Sequence, residues 1–157
     1  MKIDVTNLQD IVPIDRPARA LLYGGQIRLA HSETHLVFVD DEQMREVNRK
    51  YLGRDDTTDV IAFPFEDAPL TTDDCAGEIL VSAQRAADEA RSRKLDLHAE
   101  LALYVVHGSL HLAGYDDSTP RQAAEMHHQE KEILAELGYD AARLWKPLKA
   151  KQKRSGR

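Results

Sequence analysis

The sequence predicts an α/β or α+β fold, a single domain in which roughly four short strands pack against flanking helices. Short apolar or alternating runs of strand length are separated from longer runs whose apolar residues recur at helical spacing. Proline, glycine and helix-capping residues mark several of the boundaries between these runs. A chain of 157 residues is also long enough for one domain to bury a substantial core.

Four segments are predicted to be strands, because they alternate in polarity, are rich in β-branched residues or form short apolar runs. They span residues 1–5, 34–39, 60–63 and 77–82. The third of them is closed by Pro64, which cannot donate a hydrogen bond to a neighbouring strand. Nothing in these patterns determines the order of the strands in a sheet.

Five segments are predicted to be helices, spanning residues 18–30, 42–51, 83–93, 97–113 and 120–137. Asp40 or Asp41 precedes the second helix and can cap its free amide groups. Thr119 and Gln122 form a capping box at the start of the last helix, which has proline at its first position. Gly138 is predicted to end that helix.

The composition is typical of a water-soluble globular protein, with 42% hydrophobic and 31% charged residues. No apolar run approaches membrane-spanning length and no apolar signal segment precedes the first charges. A cytoplasmic location without membrane partners is therefore predicted. The single cysteine, Cys75, excludes an intramolecular disulfide framework.

The formal charge of −6 is unevenly distributed along the chain. Six of the 21 basic residues and none of the acidic ones lie in residues 146–157, so residues 1–145 carry 15 basic against 27 acidic side chains, or −12. We therefore divide the chain into a domain of residues 1–145 and a basic C-terminal tail of residues 146–157. The tail could contact phosphate, or it could be a flexible, solvated terminus.

The strongest functional signal lies near the end of the fourth predicted helix. His107 and His111 are four residues apart, so a helix would place both imidazoles on one face, at adjacent corners of a tetrahedral metal site. Gly114 favours a helix end, after which the chain can turn back and bring Asp117 to this face as a third ligand. Three protein ligands with an open fourth position are typical of catalytic zinc sites. Two such histidines can also be ordinary hydrogen-bonded polar residues.

Residues 107–116, HGSLHLAGYD, resemble the signature of the YbeY family at every fixed position. Members of this family are metal-dependent endoribonucleases of ribosomal RNA maturation. The resemblance implies that His107 and His111 are metal ligands in a cleft on the ligand helix, within a mixed sheet flanked by helices. It also implies cleavage of single-stranded RNA, notably at the 3′ end of 16S rRNA, a role in ribosome quality control, and ribosomal proteins and an Era-type GTPase as partners.

A second segment, residues 47–64, resembles the family pattern in which Asn-x-x-Tyr-Arg leads to Thr-Asp-Val-Leu-Ser-Phe-Pro. Two of the chain's departures from the family pattern bear on the site. Leu52 stands where many members place an arginine assigned to catalysis, and Asp117 stands where the family has a third histidine. Leucine cannot bind phosphate. Arg54 is nearby and could reach the same cleft, or it could be a surface charge of the loop.

The predicted cofactor is one zinc ion per chain, although the carboxylate of Asp117 also admits manganese or another divalent ion. Such an ion suits hydrolysis of a phosphodiester, because a Lewis acid stabilises charge on the phosphoryl oxygens. Asp116 could orient a ligand histidine or accept a proton from water, or it could instead form a turn.

Two other functions are compatible with the sequence. The metal could stabilise a non-catalytic ribosome-assembly factor, a function that the departures at Leu52 and Asp117 favour. A zinc peptidase of the H-E-x-x-H type is the remote alternative. Glycine occupies position 108, where that motif has its glutamate base.

Overall fold

Five strands and four helices lie in the part of the chain that a computed structural model describes, namely residues 3–10, 34–64, 77–140 and 151–152. The strands are β1 (Ile3–Asn7), β2 (Thr34–Val39), β3 (Val60–Pro64), β4 (Gly77–Ser82) and β5 (Lys151–Gln152). The helices are α1 (Asp41–Leu52), α2 (Ala83–Arg93), α3 (Leu97–Leu112) and α4 (Pro120–Glu136). The helix predicted over residues 18–30, Cys75 and most of the basic tail lie outside the described residues.

The described strands form one mixed sheet with the order β1-β2-β4-β3-β5. β1, β2 and β4 are parallel to one another, whereas β3 is antiparallel to β4 and β5 is parallel to β3. The predicted α/β domain with a mixed sheet and flanking helices is confirmed. All four predicted strands are present, although the first begins and ends two residues later than predicted. The fifth, β5, lies in the basic tail, where no strand was predicted, and pairs with Ile61 and Ala62.

Two helix starts have the caps that the sequence favours. Asp40, rather than Asp41, caps α1, because its carboxylate accepts a hydrogen bond from the backbone N–H of Gln43 at 2.9 Å. The Gln43 side chain in turn accepts from the backbone N–H of Asp40. At the start of α4, Thr119 and Gln122 form the predicted capping box. These reciprocal hydrogen bonds satisfy amide groups that a helix start leaves without partners.

Alternate residues of the central strands pack into two cores, one on each face of the sheet. The larger core lies between the sheet and helices α2, α3 and α4. Its residues from the sheet are Leu36, Phe38, Val60, Ile79 and Val81. The smaller core lies on the other face and includes Met44 of α1. Its residues from the sheet are Val37, Val39, Ile61, Phe63 and Leu80. β4 is buried along its whole length, as expected of a central strand covered on both faces.

The helix that carries the two histidines, α3, occupies the centre of the larger core. It contacts β3, β4, α2 and α4, and every side chain from Ala99 to His111 is buried. A helix that is enclosed in this way is apolar around most of its circumference. None of the described helices combines the length and the apolar character that crossing a bilayer requires.

Gly108, between the two histidines, allows α3 to approach the sheet closely. A Cβ atom at this position would lie 2.7 Å from Cγ2 of Ile79 and 3.2 Å from Cγ2 of Val60. A Cβ atom at Gly77, the first residue of β4, would lie 2.7 Å from Cδ2 of Leu112. Two glycines therefore set the distance between the ligand helix and the sheet.

Candidate metal centre

His107 and His111 lie one turn apart near the C-terminal end of α3. Both are almost fully buried, with 4% and 2% of their surfaces exposed. Their ring centroids are 4.8 Å apart and their planes are nearly perpendicular. Because the surrounding helix is enclosed by the core, both imidazoles are held on a rigid element.

The turn after α3 returns the chain to the histidine face. Gly114 has a positive φ of 100°, and its N–H donates to the carbonyl of His111 at 3.0 Å. The N–H of Tyr115 donates to the carbonyl of Leu110 at 3.0 Å, which completes a Schellman motif. The reversal places Oδ2 of Asp117 3.8 Å from Nε2 of His107 and 3.9 Å from Nε2 of His111.

The three side chains form a donor set that fits a divalent metal. One ligand atom from each of His107, His111 and Asp117 lies within 4.8 Å of the others. Ligand atoms around a tetrahedral zinc ion are about 3.4 Å apart, so Asp117 lies within about half an ångström of the required distance from each histidine nitrogen. Asp117 is 33% exposed, which leaves the carboxylate side of the set accessible from solvent. These are the three residues that the sequence predicts as ligands.

A partner on α4 selects the tautomer of neutral His107. Nδ1 of His107 lies 2.7 Å from Oε1 of Glu130, and a carboxylate can only accept at this position. Nδ1 therefore carries the proton, and the lone pair of a neutral imidazole is on Nε2. That Nε2 atom is buried and has no hydrogen-bond partner among the described residues. A buried acceptor without a partner is the observation that a bound cation would explain.

His111 is also held in the form that binds metal. Burial lowers the pKa of His111 and the neighbouring His107 lowers it further, whereas Asp117 and Asp116 act in the opposite direction. Neutral imidazole is therefore favoured, and only this form can donate a nitrogen lone pair to a metal.

Glu130 was not predicted as a site residue, although the sequence contains a signal for it. The predicted inward face of the last helix includes Met126, Ile133 and Leu134, and Glu130 lies on the same face, one turn after Met126. An acidic residue on the apolar face of a helix is buried only when it has a partner. That partner, His107, is 23 residues away and could not be inferred from spacing.

Asp116 makes the contacts of a turn residue. Its carboxylate accepts from the backbone N–H of Asp117 at 2.8 Å and from the hydroxyl of Ser118 at 2.7 Å. The contact that orients His107 comes from Glu130 instead. Of the alternatives open for Asp116, the turn is the one that these hydrogen bonds favour, and they fix the backbone that carries Asp117.

Arg54 and Leu52 lie at the end of α1. The Arg54 side chain is 58% exposed and forms an ion pair with Asp56 at 3.3 Å. Leu52 is partly buried against the smaller core, beside Val47 and Tyr51. The position where many family members have an arginine is therefore used for packing in this chain. A role for Arg54 at the metal centre remains a prediction.

The sequence model of the family described as endoribonuclease YbeY matches residues 19–138 of the chain. A protein named endoribonuclease YbeY from Hydrogenovibrio crunogenus is 39% identical over 70% of this chain and 72% of its own length. Proteins of the same name from Myxococcus xanthus and an Anaeromyxobacter species are 37% and 35% identical over 88% and 80% of this chain. The matches span 47% and 65% of the length of those two relatives.

A solved structure has the same fold. The solution structure of a protein from Thermotoga maritima superposes with a TM-score of 0.62 and is 26% identical, covering 86% of this chain and 88% of that one. The family model matches most of the chain, including both histidines, and a relative of similar length is 39% identical. The chain therefore belongs to the endoribonuclease YbeY family.

Proposed function

We propose that this protein is a metal-dependent endoribonuclease that cleaves single-stranded RNA in ribosomal RNA processing, including maturation of the 3′ end of 16S rRNA and ribosome quality control. The observation that carries the proposal is the convergence of His107, His111 and Asp117 on one accessible point. Family membership supports an RNA substrate. It also supports ribosomal proteins and an Era-type GTPase as partners, and a cytoplasmic location.

The residues of the chain have distinct parts in this proposal. A zinc ion held by His107, His111 and Asp117 would supply a Lewis acid that also activates water for phosphodiester hydrolysis. The buried α3 holds the two imidazoles in place and keeps water away from their inner side. Asp117 lies on the solvent side, so RNA would approach from there. Its carboxylate reduces the formal charge of a divalent centre from +2 to +1.

The proposal is tested with purified protein that is free of contaminating nucleases. We expect it to contain about one divalent ion per chain and to cleave a defined single-stranded RNA, but not the same sequence in a duplex. A chelator should abolish cleavage and the matching metal should restore it. Stoichiometric metal without turnover of any single-stranded RNA, including the 3′ end of 16S rRNA, would refute the enzymatic proposal.

A non-catalytic assembly factor is the second candidate function. The packing of Leu52 in the smaller core favours it, because no phosphate-binding side chain occupies that position. In that case metal removal would lower the melting temperature, and neither the metal-loaded nor the metal-free protein would turn over RNA. A zinc peptidase is disfavoured further, because position 108 faces Ile79 and Val60 and has no room for a glutamate.

Changing Asp117 to histidine should alter metal preference. Manganese favours oxygen ligands and zinc favours nitrogen, so Asp117→His is expected to raise the zinc-to-manganese affinity ratio about tenfold or more. The two affinities are measured by competition with a chromophoric chelator. Asp88→His, which makes the same change at an exposed position of α2, is the matched control. An unchanged ratio in Asp117→His would show that Asp117 is not a ligand.

The basic tail is expected to strengthen RNA binding. The main part of the chain is acidic, so phosphate must be met by local cations. β5 connects the tail to β3, the strand whose Val60 lies against Gly108. We would change Lys151, Lys153, Arg154 and Arg157 together to glutamine, which retains the chain while removing four of the six positive charges of the tail.

For this tail variant, the slope of log affinity against log salt concentration should decrease by up to about 3, at about 0.7 per phosphate contact. Arg91→Gln, which removes an exposed charge from α2, is the control. If affinity and slope are both the same as in the unaltered protein, the tail is only a solvated terminus.

A further inference from the structure

Glu130 is a buried carboxylate with a single side-chain partner among the described residues. Its side chain is 4% exposed, and Oε1 contacts Nδ1 of His107 at 2.7 Å. The other oxygen, Oε2, is buried and has no hydrogen-bond partner in the described part of the chain. A buried carboxylate is costly unless a cation or further hydrogen bonds compensate it.

A divalent ion on the far side of His107 would supply the missing positive charge. The imidazole would then lie between the carboxylate on Nδ1 and the cation on Nε2, and its electrons would be polarised towards the metal. A bound ion would therefore offset part of the cost of burying Glu130.

We propose that Glu130 is a positioning residue for the metal centre: it fixes the ring and tautomer of His107 and balances the charge of the bound ion. It therefore contributes more to the stability of the metal-loaded protein than to that of the metal-free protein. This inference rests on the proposed metal centre of His107, His111 and Asp117. With Glu130 counted, two carboxylates neutralise the formal charge of a divalent ion.

A purely structural role makes a different prediction. If the hydrogen bond between Glu130 and His107 only held α4 against α3, its loss would destabilise the metal-free and the metal-loaded protein equally. Glu130→Gln tests the charge alone, because glutamine has a similar shape and its carbonyl oxygen can still accept from Nδ1. A purely structural hydrogen bond would survive in this variant and leave zinc affinity unchanged. The substitution removes the charge and leaves the geometry in place.

The experiment measures zinc affinity by competition with a chromophoric chelator, and the melting temperature with excess zinc and with chelator. We expect Glu130→Gln to bind zinc about 10–100-fold more weakly than the unaltered protein. Its melting temperature in chelator should be unchanged or higher, so the rise on adding zinc should be smaller. Cobalt binding provides a second readout, since the visible spectrum should still report the same three ligands.

Glu132→Gln is the matched control. Glu132 lies on the same helix and also contacts a histidine, His128, at 3.1 Å, but both side chains are more than half exposed. An exposed pair contributes little to stability, so this variant should retain both zinc affinity and melting temperature. If Glu130→Gln does not fold, Glu130→Met, which is apolar and similar in volume, replaces it with the same expected loss of affinity.

The possible outcomes separate this inference from the proposed function. If the unaltered protein binds no zinc or other divalent ion, the metal centre itself is wrong. If it binds zinc and Glu130→Gln binds equally tightly, the role of Glu130 is refuted while the metal centre stands. A variant that loses as much stability in chelator as in zinc also refutes it, because such a loss identifies a structural hydrogen bond.

Discussion

Substituting His107 by alanine is expected to remove most of the bound metal and to abolish RNA cleavage. The change deletes one of two nitrogen donors and leaves Glu130 without its side-chain partner among the described residues. Loss of a residue that only orients a ligand typically costs 10–100-fold in metal affinity, so loss of the ligand itself should cost more than about 100-fold. The measurements are metal content per chain and the rate of cleavage of a single-stranded RNA.

His128→Ala is the control for this experiment. His128 lies on α4, is 67% exposed and pairs with Glu132 on the same helix. It should retain both metal and cleavage. Circular dichroism checks that His107→Ala is folded. We expect it to be, because loss of a hydrogen bond to a buried carboxylate costs about 2 kcal/mol and not the whole stability. An unchanged zinc content in folded His107→Ala would rule out the site.

The second large effect is expected at Gly108. Valine at this position would drive a branched side chain into Ile79 and Val60, since even a Cβ atom would lie 2.7 Å from Cγ2 of Ile79. Overpacking against an enclosed sheet should cost about 3 kcal/mol or more, measured as the free energy of unfolding in urea. Alanine should cost about 1 kcal/mol net, because its better helix propensity offsets about 1 kcal/mol of the clash.

Ala124→Val, at an exposed position of α4, is the reference for introducing valine into a helix. It should lose less than about 1 kcal/mol, the difference in helix propensity alone. If Gly108→Val were as stable as Ala124→Val, α3 could move away from the sheet, and the close contact at Gly108 would not hold the two histidines in position.

Much of the local structure was predictable because its causes are local. β2, β4 and α2 have the predicted bounds, since their apolar periodicity and flanking residues are contained in the segments themselves. The capping box of Thr119 and Gln122 also involves neighbours in sequence. The strand order was not predictable, because it depends on packing between distant segments. The contact of Gly108 with Ile79 is one example.

The candidate site likewise combines residues that the sequence predicts with one that only the tertiary structure reveals. The convergence of His107, His111 and Asp117 follows from helical spacing and from the turn at Gly114, and all of these are encoded within eleven residues. Glu130 reaches the site from another helix, so only the tertiary structure identifies its partner. For Asp116 the sequence allowed several roles, and the hydrogen bonds favour the turn.

Two of the three donors lie on a buried helix and the third lies in an exposed turn, and this difference affects how long a bound ion is retained. The two histidines lie on a helix that is buried from Ala99 to His111, whose amide protons should exchange with solvent only on global unfolding. Asp117 lies in the following turn and is one third exposed, and exposed turns generally open more readily than buried helices. Metal would then leave by an opening of this turn, on a timescale much shorter than that of unfolding.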